Sequence, residues 1–356
     1  MIIKSIVTRF EQFELTRPYA ISFRDMTDYA VNGIIAIETN NGLIGHGAAS
    51  PEHFVTGETI DDCKKILNET ALDWLIGKDV RHLPSLIREL EGYAPRQPAA
   101  RAAVDIALHD LLAQHLELPL VDMLGRAHEA LPTSITIGIK SVEDTLAEAD
   151  EYLGRGFTVL KVKLGESLNS DLERLHKLRE RVPKNTTIRV DPNQGYSGQE
   201  IIEFFDAAKK LDIEFLEQPT PAKDIETLRN LPADIRRFIA ADETLLCEKD
   251  ALELIAPPKA CGIFNIKLMK CGGIATGARI ASIANTAGVE LMWGCMDESV
   301  ISISAALHVA LASPATRYLD LDGSLDLATD VVTGGFELKG GIMRTTNNSG
   351  LGVIPV

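Results

Sequence analysis

The sequence predicts an α/β protein whose larger part is a closed TIM-type barrel of parallel strands, preceded by a separate α+β unit. Two observations carry this. Between residues 133 and 322 an apolar strand-like run followed by a charged helical stretch recurs about every 25 residues, eight times over. Residues 1 to 120 follow a different order, with strands first and helices after.

In that first unit, the runs IIKSIVTRFEQFEL, GIIAIETN and LIGHGAA read as strands, and 59–76, 83–92 and 98–116 read as helices. The barrel runs are TSITIGI (133–139), TVLKVKL (158–164), TTIRVDPN (186–193), IEFLEQP (213–219), RFIAADE (237–243), GIFNIKL (262–268), ELMWGC (290–295) and RYLDLD (317–322). SVEDTLAEADEYLGRG and NSDLERLHKLRERV lie between them with 3.6-residue apolar spacing; the first also has a Ser-x-x-Asp start and a Gly stop. After the eighth run GSLDLATDVVTGG is short and bounded by glycine, so the last unit is expected to be incomplete. The expected division is a capping unit of 1–120, a barrel of 121–334 and a tail of 335–356 that returns to the cap.

A net charge of −15 with no basic run argues against nucleic acid. Five cysteines, Cys63, Cys247, Cys261, Cys271 and Cys295, are odd in number and widely spaced, which fits a reducing cytoplasm better than a disulfide framework. The charged, alternating N-terminus does not resemble a signal peptide, and no apolar run is long enough to span a membrane. A homo-oligomer is expected, although no residue pattern fixes its order.

Barrels of this kind build their sites at the C-terminal strand ends. Here those ends are charged. Run two supplies Lys161 and Lys163, run three Asp191, run four Glu217, run five Asp242 beside Glu243, run six Lys267, and run eight Asp320 and Asp322. Lys161 and Lys163 share one strand face, so each opposes the other's charge; at least one is expected to have a lowered pKa and to accept a proton. Solvated lysines on an edge strand are the alternative. Each acid alone could be a helix cap or a surface charge, but three from adjacent strands converge on one rim and call for a cation. All-oxygen ligands favour Mg²⁺ or Mn²⁺ over Zn²⁺. Lys267 lies across the mouth from run two, so a substrate between two lysines can lose an α-proton on one face and regain it on the other.

Lys161-Val-Lys163, Asp191 in DPNQGY, Glu217 in EQP, Asp242 in ADE and Lys267 in NIKLMKCGG together resemble the enolase superfamily, muconate-lactonizing subgroup, along essentially the whole chain. The resemblance implies a modified (β/α)7β barrel under an α+β cap, one Mg²⁺ on Asp191, Glu217 and Asp242, acid/base roles for Lys163 and Lys267, and a tuning role for Lys161.

Asp320 and Asp322 in YLDLDGS suit a substrate ammonium, and this Asp-x-Asp is similar to that of the dipeptide epimerases. Capping of the following turn is the alternative for Asp322. Asp297 in GCMDES and Glu52 in ASPEHFVTGE are expected to form an acidic pocket for a Lys or Arg side chain, the alternative being solvated loop charges. Arg24 in ISFRDM resembles the arginine of Ala-Glu epimerases, whereas those relatives carry an apolar residue in place of Asp297. The expected activity is Mg²⁺-dependent epimerisation of a dipeptide at its C-terminal residue. Cycloisomerisation, or dehydration to o-succinylbenzoate, would use the same lysines and metal but offers no ammonium to Asp320 and Asp322. A non-catalytic binding barrel is the remaining class.

Overall fold

The computed structural model describes residues 1–21 and 24–356, with the side chains of 18–27 outside that description. An antiparallel three-stranded sheet (Ile3–Ile21, Arg24–Thr39 and Ile44–Ala49) opens the chain. Helix Pro98–His115 lies across it, and almost every residue of that helix is buried. Its alanines permit the close approach and two glycines of the third strand require it. A Cβ on Gly47 would sit 1.9 Å from the Ala103 carbonyl oxygen, and one on Gly45 would sit 2.3 Å from that of Ala107. The helix expected over 59–76 is broken into Ile60–Ile66, Glu69–Leu72 and a 3₁₀ turn at Asp73–Leu75. Asn68 is the cause: its side chain accepts the Ala71 N–H and starts a new helix there.

The eight expected barrel strands all form: Ile135–Ile137, Val159–Lys163, Thr187–Asp191, Ile213–Glu217, Ile239–Ala241, Ile263–Ile266, Glu290–Gly294 and Thr316–Asp320. They lie in one sheet in sequence order with parallel neighbours. The ring closes where the Ser134 N–H donates to the Leu319 carbonyl at 3.0 Å, beside a parallel bridge from Thr133 to Leu319. Among the described residues no α-helix follows strand eight; the 3₁₀ turn Gly323–Leu325 takes its place, so the last unit lacks its helix.

Cap and barrel share polar seams. The Asp105 carboxylate, on the cap helix, accepts the Ile274 N–H at 2.6 Å and so caps the barrel helix that follows strand six. Asn32 of the cap donates to the Asp297 carbonyl at 3.2 Å and accepts the Ser299 N–H at 2.9 Å, which fixes the loop after strand seven. The chain end, with hairpin Phe336–Lys339 and Ile342–Thr345, pairs with Leu131–Pro132, and the Leu351 N–H reaches Asp110 of the cap helix at 2.8 Å. Among the described residues no helix is long and apolar enough to cross a membrane.

Candidate active site

Strands two to six deliver their charged ends to one place because inward-facing residues on neighbouring parallel strands lie level with one another; Lys163, for instance, is in register with Asp191. Lys163 donates to Asp191 Oδ2 at 2.6 Å, and the Asn193 N–H binds Asp191 Oδ1 at 2.8 Å. Glu217 is fully buried, with Oε1 accepting from Asn265 at 2.9 Å and Oε2 lying 2.8 Å from the Lys161 ammonium. Lys267 reaches Asp242 Oδ2 at 2.8 Å, while Lys270 binds the other oxygen of that carboxylate. Gln218 locks the ends of strands four and five together, its Oε1 accepting the N–H of Asp242 at 2.9 Å and of Thr244 at 3.1 Å.

The two lysines of strand two do not lie on a solvated edge: Lys161 is buried and Lys163 is half-buried on Asp191. Strand two lies inside the sheet and Lys161 is 3% exposed. The expectation of a lowered pKa on this strand fails for Lys161: burial pulls its ammonium down, but Asp320, Glu217 and Asp191 outweigh that and hold it well above the ordinary lysine value. Lys267 is also raised, burial again being overcome, here chiefly by Asp242. The lysine that is lowered is Lys270, through burial and the nearby Lys267. The strand pattern alone passes over it, although a second lysine one helical turn after Lys267 was the available signal.

The donor set fits a hard divalent cation. Burial drives Glu217 up to about 8, as expected for a carboxylate lacking enough positive charge. Three buried acceptor oxygens near the ends of strands three, five and six, Asn193 Oδ1, Glu243 Oε2 and Asn265 Oδ1, have no hydrogen-bond donor. Among the described residues no ready cage of three ligands is formed, since lysine ammoniums stand on Asp191, Glu217 and Asp242. The residues available to a metal are Asp191, Glu217 and Asp242, with Glu243 beside them.

Asp320 and Asp322 separate in role. Asp320 spends one oxygen on Ser134 Oγ at 2.6 Å and the other on Lys161 at 2.8 Å. Asp322 lies just past the strand, and its side chain makes no cap bond to the turn it precedes. Instead Oδ2 accepts the Thr136 N–H at 2.7 Å, and burial with the nearby Asp320 raises its pKa to about 7. Gly323 is required next to it, because a Cβ there would lie 1.8 Å from the Met296 carbonyl oxygen.

Lys161, Lys163, Asp242, Lys267, Asp320 and Asp322 line one cavity of about 240 Å³. Asp297 and Glu52 line the same cavity from the strand-seven loop and from the cap. The side chain of Arg24 lies outside the described residues. Sequence reasoning also missed Glu148, Tyr152 and Asp326 on the cavity wall, which tertiary folding alone brings there.

Comparison with known proteins agrees along the whole chain. Residues 4–125 match the mandelate racemase/muconate lactonizing enzyme N-terminal domain, and 144–355 match the enolase C-terminal domain-like family. The chain is 58% identical to the L-Lys-D/L-Arg epimerase of Methylococcus capsulatus, over 99% of both chains. It is 32% identical to the L-Ala-D/L-Glu epimerase of Bacillus subtilis, over 96% of this chain and 93% of that one. A crystal structure of the Methylococcus capsulatus dipeptide epimerase with Mg and L-Arg-D-Lys superposes with a TM-score of 0.98, covering 99% of this chain and 100% of that one. With both halves matched in order and the charged strand ends gathered in one cavity, the chain belongs to the mandelate racemase/muconate lactonizing enzyme family of the enolase superfamily.

Proposed function

We propose that this protein is a Mg²⁺-dependent epimerase of dipeptides bearing Lys or Arg side chains, inverting the α-carbon of the C-terminal residue. The observation that carries the reading is the opposition of Lys163 and Lys267, on strands two and six of an eight-stranded ring, across a cavity whose other walls carry Asp322 and Asp297. The relatives described above that are named for Lys and Arg support the cationic preference.

Asp191, Glu217 and Asp242 would hold the metal, which when bound supplies positive charge to the substrate carboxylate and stabilises the charge that grows there as the α-proton leaves. Asp322 receives the substrate α-ammonium. Asp320 contributes to that end of the cavity while holding Lys161 in place. With both substrate ends fixed, the α-carbon lies between the lysines. One of Lys163 and Lys267 takes the proton to give the planar enediolate, and the other returns one to the opposite face, so a 1,1-proton transfer inverts the centre. Asp297 and Glu52 take a cationic substrate side chain.

We assign residues 1–120 to the cap and 121–334 to the barrel; the tail 335–356 pairs its strands with Leu131–Pro132 and Val332–Gly334 of the barrel and reaches the cap through the Leu351 N–H on Asp110. Five free cysteines support a reducing cytoplasm. Exposed Ile44 and Ile354, which line one surface cleft, support a homo-oligomer, which sedimentation would test.

The activity is tested by incubating the protein with L-Lys-L-Arg and Mg²⁺ in D₂O. The expected result is a one-dalton gain with inversion at the second residue only. Absence of both exchange and inversion would refute the reading.

A further inference from the structure

We infer that Asp326 selects a cationic side chain on the first residue of the dipeptide, a role distinct from that of Asp297 and Glu52. The inference rests on the epimerase reading above.

Asp326 ends the 3₁₀ turn Gly323–Leu325 that begins beyond Asp322, and it lines the same cavity as the lysines. Its backbone is tied to the cap: the Thr16 N–H donates to the Asp326 carbonyl at 2.8 Å, and the Ala328 N–H to that of Glu14 at 2.8 Å. Its carboxylate is therefore carried on a fixed segment, not a free loop.

The charges around it are otherwise spent. Glu148 takes Lys140 at 2.8 Å on one oxygen, and on the other the Tyr152 hydroxyl at 3.0 Å and Arg17 at 3.3 Å. Arg17 is further bound by Glu151. The two cations that line this lobe are thus held by glutamates, and among the described residues no Lys, Arg or His lies within ion-pairing distance of Asp326. Burial, with Asp297 as the next contributor, lifts its pKa to about 6. A cation placed there would relieve both effects.

The substrate's own geometry supplies one. With the α-ammonium on Asp322, the first Cα is a single bond away, and its side chain departs along the wall that leads to Asp326. The four-residue step from Asp322 across this turn to Asp326 advances roughly 8 Å. That is a distance the extended stem of a Lys or Arg side chain can bridge, whereas Ala cannot.

The test compares the wild type with Asp326→Asn on L-Lys-L-Ala, L-Ala-L-Lys and L-Ala-L-Ala in Mg²⁺. Each variant's Ala-Ala rate is its internal reference, so a partial folding defect cancels in the ratios. In the variant the Lys-Ala to Ala-Ala ratio of kcat/KM should fall roughly tenfold to a hundredfold, with the Ala-Lys to Ala-Ala ratio holding. An equal fall in both ratios, a fall confined to Ala-Lys, or no change would overturn the assignment. A wild type that epimerises none of the three would refute the epimerase reading and this role with it.

Discussion

The two halves of the barrel mouth treat charge in opposite ways. On strands two to six each candidate metal ligand has a lysine on it: Lys163 on Asp191, Lys161 on Glu217, and Lys267 with Lys270 on Asp242. On the side of strands seven and eight, burial raises Asp322 and Glu298 to about 7 and Asp326 to about 6. Glu217 and Glu243 are the exceptions on the first side, raised by burial to about 8 and about 7, which fits carboxylates at a metal position. On the proposed reading the lysine-paired acids belong to the catalytic machinery, and Asp322 and Asp326, cavity-lining acids short of positive charge, would receive substrate cations. A buried carboxylate without a cation is costly, a cost relieved either by protonation or by a ligand that supplies positive charge.

The sharpest way to break this contrast is in the compensated half. Replacing Lys163 or Lys267 by Ala should abolish epimerisation by a factor of about 10³ or more. Exchange in D₂O from one epimer only should survive in each variant, with opposite epimers for the two. Loss of exchange from both epimers in both variants would contradict separate faces for the lysines. Stripping divalent ions with a chelator should stop turnover, and added Mg²⁺ should restore it.

In the other half, Asp322→Asn would, on the proposed reading, remove a charge-assisted contact to the ammonium common to every dipeptide. kcat/KM should drop roughly tenfold to a hundredfold regardless of side chains. A smaller and selective effect is expected from Asp297→Asn, about tenfold on cationic dipeptides and little on Ala-Ala. Steady-state kinetics on a small dipeptide panel separates the two, and a uniform loss for Asp297→Asn would remove it from specificity.

A further effect lies far from the mouth and concerns stability, not turnover. His308 is buried in helix Val300–Ala312, where Nδ1 accepts the Val121 N–H at 2.9 Å, and burial lowers its pKa to about 4. The folded state holds this imidazole neutral, so its contribution is present above the unfolded value of 6.5 and is lost as pH falls through about 4. The full loss is about 3 kcal/mol. Urea midpoints at pH 7 and 4.5 should fall closer together in His308→Asn than in the wild type. An unchanged gap would show that this histidine does not couple stability to pH.

Legibility in the sequence followed the same division. Strand ends repeat at a regular interval, so Lys161, Lys163, Asp191, Glu217, Asp242 and Lys267 can be aligned on one rim from their spacing alone. Lys270 escaped because it leaves strand periodicity and enters a one-turn helix, Leu268–Cys271. Glu148 and Asp326 share no spacing with the strand ends, and they meet only because Thr16 and Arg17 of the cap reach across to them. The expected softening of strand two failed for Lys161 because counting like charges on one strand omits the carboxylates that neighbouring strands supply. The long helix over 59–76 failed for a local reason, the capping side chain of Asn68.

The measurement that reaches the central claim most directly is the ratio of kcat/KM for L-Lys-L-Arg to that for L-Ala-L-Glu, taken on the wild type with Mg²⁺. If the acids on the strand-seven and strand-eight side receive substrate cations, the ratio should be on the order of 100 or more. A ratio near one, or a preference for Ala-Glu, would mean those acids serve the fold and not the substrate.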